Sequence, residues 1–243
     1  MAKALIIAHR GASQQAPENT IPAINKALEL GADMIALEVQ RTRDDHPVIL
    51  ADVSLDRTTN GSGRVARMTL AEVKALDAGT WFGDGFAETR VPTLQEALDA
   101  IGTKARVLLQ LPETRAGSPW AARLLEALGT RKQPDGDVLV FNESQSLKDV
   151  RDGAKTFQYA LTLGEKVDGW IYIEKAEKMG LRVIRPFRPQ IDSVLVGQAH
   201  SKKMQVYAHF ANEERDMREL LDLRVDGIVT GRPDRLKAVL AAQ

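Results

Sequence analysis

The sequence predicts an α/β protein of the (β/α)8 TIM-barrel class, from three observations. Short apolar runs of strand type alternate with longer helical patterns from end to end of the 243 residues, which implies a mostly parallel sheet covered by helices. About eight such units in roughly 250 residues is the size of this barrel. The rival fold, a doubly wound open sheet, needs a glycine-rich phosphate loop after its first strand, and here the run Ala4 to Ala8 leads into His9-Arg10-Gly11 instead.

The elements follow in order. After the first strand, Ile21 to Leu30 carries apolar residues at Ile21, Ile24, Ala27, Leu28 and Leu30, close to helical spacing, and Gly31 ends it. Met34 to Gln40 and Pro47 to Val53 are strand candidates, followed by a polar, glycine-containing stretch from Asp56 to Gly63. Thr69 to Leu76 and Thr93 to Ile101 are predicted helices, because Thr69 with Glu72 and Thr93 with Glu96 stand at capping-box spacing. The alternation continues with strands at Arg106 to Leu111, Val138 to Phe141, Thr156 to Leu163, Leu181 to Arg185, Gln205 to Phe210 and Gly227 to Thr230. Between and after them lie helices, among them Pro119 to Leu128, Ser146 to Arg151, Gly169 to Met179 and Pro233 to Ala242. No break in composition marks a linker, so residues 1–243 are expected to form one domain.

Composition narrows the function. Lys+Arg and Asp+Glu are 33 each, a balance that argues against a general nucleic-acid binder. The absence of cysteine removes disulfides, thiolate zinc sites and cysteine nucleophiles. No apolar run approaches the roughly 18 residues of a membrane span, and the apolar start is too short for a signal-peptide core. A soluble, cytoplasmic protein is expected; the oligomeric state is not legible in the sequence.

In a barrel of this class, chemistry gathers where strands end and their following loops begin. His9 and Arg10 stand at one such end; imidazole titrates near neutrality and guanidinium binds phosphate in a fixed fork, so the pair suits an oxyanion. The rival reading makes His9 a satisfied strand-end histidine and Arg10 a surface charge. Glu38 and Gln40, two apart on a strand, share its inward face, where a carboxylate suits a hard cation and a glutamine carbonyl is a far weaker ligand. The rival for Glu38 is an ion pair with Arg10 or another base.

These residues fall in an ordered series. His9-Arg10-Gly11, Pro17-Glu18-Asn19-Thr20, Gly31-Ala32-Asp33, Glu38, Thr42, Asp44, Pro47-Val48 and Leu55-Asp56-Arg57-Thr58-Thr59-Asn60-Gly61 lead on to Trp81-Phe82, Val91-Pro92-Thr93-Leu94, Val225-Asp226-Gly227-Ile228-Val229-Thr230 and Arg232-Pro233. The series resembles the glycerophosphodiester phosphodiesterases over almost the whole chain. The resemblance implies a barrel that hydrolyses glycerophosphodiesters to an alcohol and glycerol 3-phosphate. It further implies a bound divalent cation held by a Glu-x-Asp pair and another glutamate, two histidines as acid and base, and phosphate contacts from the arginine and a lysine.

The chain departs from that pattern at most of the chemical positions. His9, Arg10 and Glu38 match. Gln40 stands at the second metal carboxylate, Ala51 at the second histidine with its neighbour Asp52 kept, Gln110 at the third carboxylate and Pro112 at the lysine. Gly231 stands where the family has aspartate, and His209 where it has tryptophan. Of the neighbours able to compensate, His46 and Glu113 stand at odd offsets from Ala51 and Gln110, so an extended strand turns them to the other face. His46 reads as a turn residue, and Glu113 reaches the site only by swinging in from its loop. His209 either faces the mouth opposite His9 or fills the space of the tryptophan as a hydrogen-bonded strand-end histidine.

One carboxylate and two amides in place of three carboxylates lower affinity for Mg²⁺ or Ca²⁺ sharply, so no cation, or a weakly bound one, is expected. The leading expectation is a family member with impaired or absent metal-dependent catalysis that still binds a small phosphate ester or anion through His9 and Arg10. Its rivals are a hydrolase of altered mechanism using His9, and a structural or partner-binding barrel.

Overall fold

A computed structural model of the chain describes residues 3–112, 119–131, 136–141 and 147–242. Eight parallel strands close on themselves: β1 (Leu5–His9), β2 (Met34–Arg41), β4 (Arg106–Gln110), β5 (Val138–Phe141), β6 (Gln158–Leu161), β7 (Val183–Ile184), β8 (Gln205–His209) and β9 (Gly227–Thr230). Closure is made by β1, which pairs with β2 on one side and β9 on the other. The helices that cover the ring are α1 (Ile21–Glu29), α3 (Leu94–Ile101), α4 (Pro119–Gly129), α5 (Leu147–Gly153), α6 (Gly169–Lys178), α7 (Ser193–Ser201), α8 (Glu214–Asp222) and α9 (Pro233–Ala241). The predicted barrel is the observed one.

One strand candidate is corrected. The run predicted as Pro47 to Val53 is ordered as a strand, β3, only over Pro47–Ile49, and it pairs antiparallel with β2 outside the ring. The reason is chain length: only five residues join β2 to β3, enough for a hairpin but not for the dozen or more of a parallel crossover. Ala51 and Asp52 therefore stand beyond a hairpin strand, not at the end of a barrel strand. The segment after β3, with helix α2 (Leu70–Ala75), has its own small core of Val48, Leu50, Leu55, Val65, Val73, Ala78 and Val91.

Local signals act where they stand. Thr69 caps α2 and Thr93 caps α3, each in a reciprocal capping box with Glu72 or Glu96. After α1, Gly31 takes φ +81°, and its amide donates to the Leu28 carbonyl, closing the helix as a C′ glycine does.

Strand parity decides what enters the barrel. Ile7, Met34, Leu108, Val140, Ala160, Val183, Tyr207 and Val229, one from each ring strand, form the inner core. Their neighbours Ile6, Ile35, Leu109, Leu139, Leu161, Ile184, Val206 and Ile228 face the helices. A period of two then sends His9, Glu38, Gln110, Arg185, His209 and Gly231 inward at the C-terminal ends.

The opposite end is closed by aspartates. Asp33, Asp137 and Asp226 each precede a strand and accept a hydrogen bond from the second residue's amide of the strand beside it: Ile6 N at 2.8 Å, Val107 N at 2.8 Å and Val206 N at 2.8 Å. Asp137 is fully buried and pairs with the buried Arg131 at 2.9 Å. No helix among the described residues is long and apolar enough to cross a membrane.

Candidate binding site at the barrel mouth

The mouth begins with the turn out of β1. Arg10 and Asn19 both take left-handed backbone conformations, with φ of 58° and 57°, and the Asn19 amide donates to the Arg10 carbonyl at 3.0 Å. Gly11, at φ +77°, has no alternative: a Cβ there would stand 2.5 Å from the carbonyl carbon of Ala23. Thr20 then caps α1. This packing brings Arg10, Glu18 and Asn19 over the end of β2.

There they bind Glu38. Arg10 Nε donates to Glu38 Oε1 at 3.1 Å, and Asn19 Nδ2 donates to Oε2 at 2.9 Å. Arg10 Nη1 also donates to Glu18 at 2.8 Å. Arg57 continues the chain of charges, donating to Glu18 at 2.6 Å and to Asp52 at 2.7 Å. Burial opposes the charge on Arg10, but Glu38 and Glu18 hold its guanidinium above its ordinary pKa. Both oxygens of Glu38 are thus already engaged by donors.

The replaced positions gather beside it. Gln40 Nε2 donates to the Ala51 carbonyl at 3.2 Å, so these two positions do meet, as an amide and a backbone oxygen. Gln110 pairs with Glu38 across the β2–β4 register, and its Oε1 accepts from Arg185 Nη1 at 2.8 Å. Pro112 follows two residues after Gln110, half-buried. Glu113 lies outside the described residues. His46, in the β2–β3 hairpin, contacts α4, its Nε2 2.7 Å from an Arg123 nitrogen. At Gly231 an added Cβ would come within 2.8 Å of both Gln14 Cγ and Ser13 Oγ, so the loop after β1 fills the space an aspartate needs.

His9 and His209 converge. Their ring centroids are 5.2 Å apart, edge to face, and Phe210 stacks on His9 at 5.2 Å. His209 Nδ1 lies 2.9 Å from Arg185 Nη2; a guanidinium only donates, so the imidazole accepts. Burial first, and then the charges of Arg10 and Arg185, push His9 down to about 3. Burial and Arg185 likewise push His209 well below the ordinary histidine range. Both imidazoles are neutral at pH 7.

Sequence reasoning missed Arg185, although it ended a predicted strand there. The signal was parity: Val183 faces inward, so a charge two residues on must enter the lumen. Asn19 was missed as well; an Asn in a turn tolerates the left-handed conformation it takes here. The donors of the described residues do not fit a metal. Among the described residues no three His, Asp or Glu side chains group to hold a cation, and Glu38 is the single carboxylate at the matched positions.

A (β/α)8 barrel with a phosphate-suited histidine and arginine at its C-terminal mouth defines a class, and comparison defines the family. The glycerophosphoryl diester phosphodiesterase family profile matches residues 9–235, and the chain belongs to that family. It is 36% identical over 239 residues to a glycerophosphodiester phosphodiesterase of Caldanaerobacter subterraneus subsp. tengcongensis, covering 96% of each chain. It is 32% identical to one from Bacillus subtilis, covering 95% of this chain and 84% of that one. Among solved structures, an Oleispira antarctica phosphodiesterase in complex with the product sn-glycerol-3-phosphate superposes with a TM-score of 0.88, at 26% identity and with 98% and 97% of the two chains covered.

Proposed function

We propose that this barrel binds a glycerophosphodiester, or the glycerol 3-phosphate released from one, with metal-dependent hydrolysis impaired or absent. The observation that carries the reading is Glu38. Its two oxygens are held by Arg10 and Asn19, while amides stand at the positions of the other two metal carboxylates. Hard divalent cations depend on carboxylates and substrate phosphate for affinity, and a lone, engaged carboxylate leaves little to replace their hydration shell. The missing imidazole at Ala51 removes a further factor of about 10² to 10⁴ in rate.

The binding half of the reading rests on Arg10 and His9. Arg10 directs Nε and Nη1 to Glu38 and Glu18 and would meet phosphate with the remaining Nη2 edge of its guanidinium, and His9 presents a neutral imidazole beside it. The bound sn-glycerol-3-phosphate of the Oleispira antarctica phosphodiesterase supports a small phosphate ester as ligand. The reading places the protein among glycerophospholipid metabolites, in the cytoplasm, in keeping with a chain that has no cysteine.

A second reading, hydrolysis by His9 and His209 without metal, is favoured by their 5.2 Å approach. It ranks lower, because two neutral imidazoles supply bases but no imidazolium acid for the leaving alkoxide.

The test is an assay of the purified protein on glycerophosphocholine with Mg²⁺ or Ca²⁺ added. The expected result is no robust cation-dependent turnover, together with thermal stabilisation by sn-glycerol 3-phosphate. Brisk cation-dependent turnover refutes the first reading; a slow turnover without cation that His9→Ala abolishes supports the second.

A further inference from the structure

We propose that Arg185 is the anion anchor of this mouth, its guanidinium standing where the family's fold provides a divalent cation and taking the ligand's phosphate directly. The inference rests on the phosphate-binding reading above and names the residue that performs it.

The first support is position. Arg185 leaves the end of β7, yet it contacts Gln110 at the end of β4 and His209 at the end of β8. In the ring, β5 and β6 stand between β7 and β4 on one side, and β8, β9, β1 and β2 on the other. A side chain joining β7 to β4 has to reach across part of the lumen, so the guanidinium sits inside the barrel mouth. Gln110 and Glu38 are register partners, which puts this positive charge beside the depleted carboxylate set.

The second support is chemistry left unfinished. Arg185 is 4% exposed, and among the described residues no carboxylate pairs with it directly. Its partners are a neutral amide and a neutral imidazole. Its buried Nε has no hydrogen-bond partner among the described residues, and neither does His9 Nε2 in the same mouth. A buried guanidinium without an anion is costly, and burial pushes this one down to about 10. Glu38, the described carboxylate whose charge acts on Arg185, is committed to Arg10 and Asn19. A phosphate group supplies what the arrangement lacks: negative charge for Arg185 and acceptors for its Nε–H.

Glutamine at 110 then has a positive reason. A glutamate there would pair with Arg185 and neutralise it inside the protein. The amide holds the guanidinium in place and leaves it, among the described residues, without a carboxylate bonded to it, for the ligand to meet.

Inorganic phosphate and sn-glycerol 3-phosphate, titrated calorimetrically into the full-length protein in EDTA-containing buffer, test this. Wild type is expected to bind both. Arg185→Gln is expected to lose about tenfold or more in affinity for each, the scale of a charge-assisted hydrogen bond, and its melting temperature should no longer respond to phosphate. Arg185→Lys, which keeps the charge but not the fork, should fall between. Gln110→Glu should weaken phosphate binding while leaving Arg185 in place, which keeps the test sound if Arg185→Gln folds poorly. Undiminished phosphate affinity in Arg185→Gln or in Gln110→Glu, with Arg10→Gln alone losing it, overturns the role of Arg185 and leaves the phosphate-binding reading standing. No phosphate binding by wild type at millimolar concentration overturns both.

Discussion

At the scale of single residues, burial and charge set the state of the two histidines. An unfolded imidazole protonates near pH 6.5, whereas His9 in the fold waits until about 3 and His209 is displaced in the same direction. Between those values the unfolded chain binds more protons than the folded one, so stability rises with pH through this range and is lost as pH falls below about 6.5. The slope is roughly 1.4 kcal/mol per pH unit for each histidine. Chemical denaturation of wild type and of His209→Phe between pH 4 and pH 7 checks it; the substituted protein should show the shallower dependence, and equal slopes would contradict the burial of His209 as a neutral base. His9, Arg10 and Glu38 were legible because they stand in a motif at strand ends. Arg185 was not, because what makes it part of the site is the closure of the barrel, which brings the ends of β7 and β4 within side-chain reach across the lumen. That contact between residues 75 apart in the chain has no local signal.

At the scale of elements, the quoted motifs divide between the two ends of the barrel. Gly31-Ala32-Asp33 and Val225-Asp226-Gly227 read like parts of a functional signature, yet Asp33 and Asp226 bind strand amides at the end away from the mouth. Their work is to satisfy the second residue's amide of neighbouring strands. Asp137 does the same without belonging to any quoted motif, and it also neutralises Arg131. Asp137→Ala should cost about 3–5 kcal/mol in urea unfolding, because it leaves Arg131 buried and unpaired; a loss under about 1 kcal/mol would show that the pair is solvated. Gly11→Ala meets both a positive φ and the Ala23 backbone. It should lower stability by about 2 kcal/mol or more and loosen the Arg10–Asn19 turn, read as a lower melting temperature together with weaker phosphate binding. The elements themselves were mostly legible, since capping boxes, C′ glycines and apolar runs are local. The strand Pro47–Ile49 was assigned too long because Leu50 and Val53 extend the apolar run in sequence, whereas in the fold Leu50 enters the small core after β3 and Val53 is exposed.

At the scale of the whole molecule, the barrel keeps the scaffold of its family while the charges at its mouth are redistributed. Where the family resemblance implies three carboxylates around a divalent cation, this chain has Glu38 tied into the series Arg10, Glu18, Arg57 and Asp52, with Arg185 inside the same mouth. Restoring acids should reverse the trade. The triple substitution Gln40→Asp, Gln110→Glu and Arg185→Leu places two carboxylates beside Glu38 and removes the guanidinium that would otherwise pair with them; it is expected to show a rise in melting temperature on adding Ca²⁺ that exceeds any shown by wild type. The resemblance made the loss of acids readable; the gain of an internal cation needed the closed ring.

The central claim is that this mouth offers its ligand a guanidinium instead of a metal ion. Calorimetric titration of Mg²⁺ and Ca²⁺ into the metal-stripped wild-type protein tests it most directly. The account predicts no saturable binding at millimolar cation, and stoichiometric binding of either ion that Glu38→Gln abolishes would contradict it.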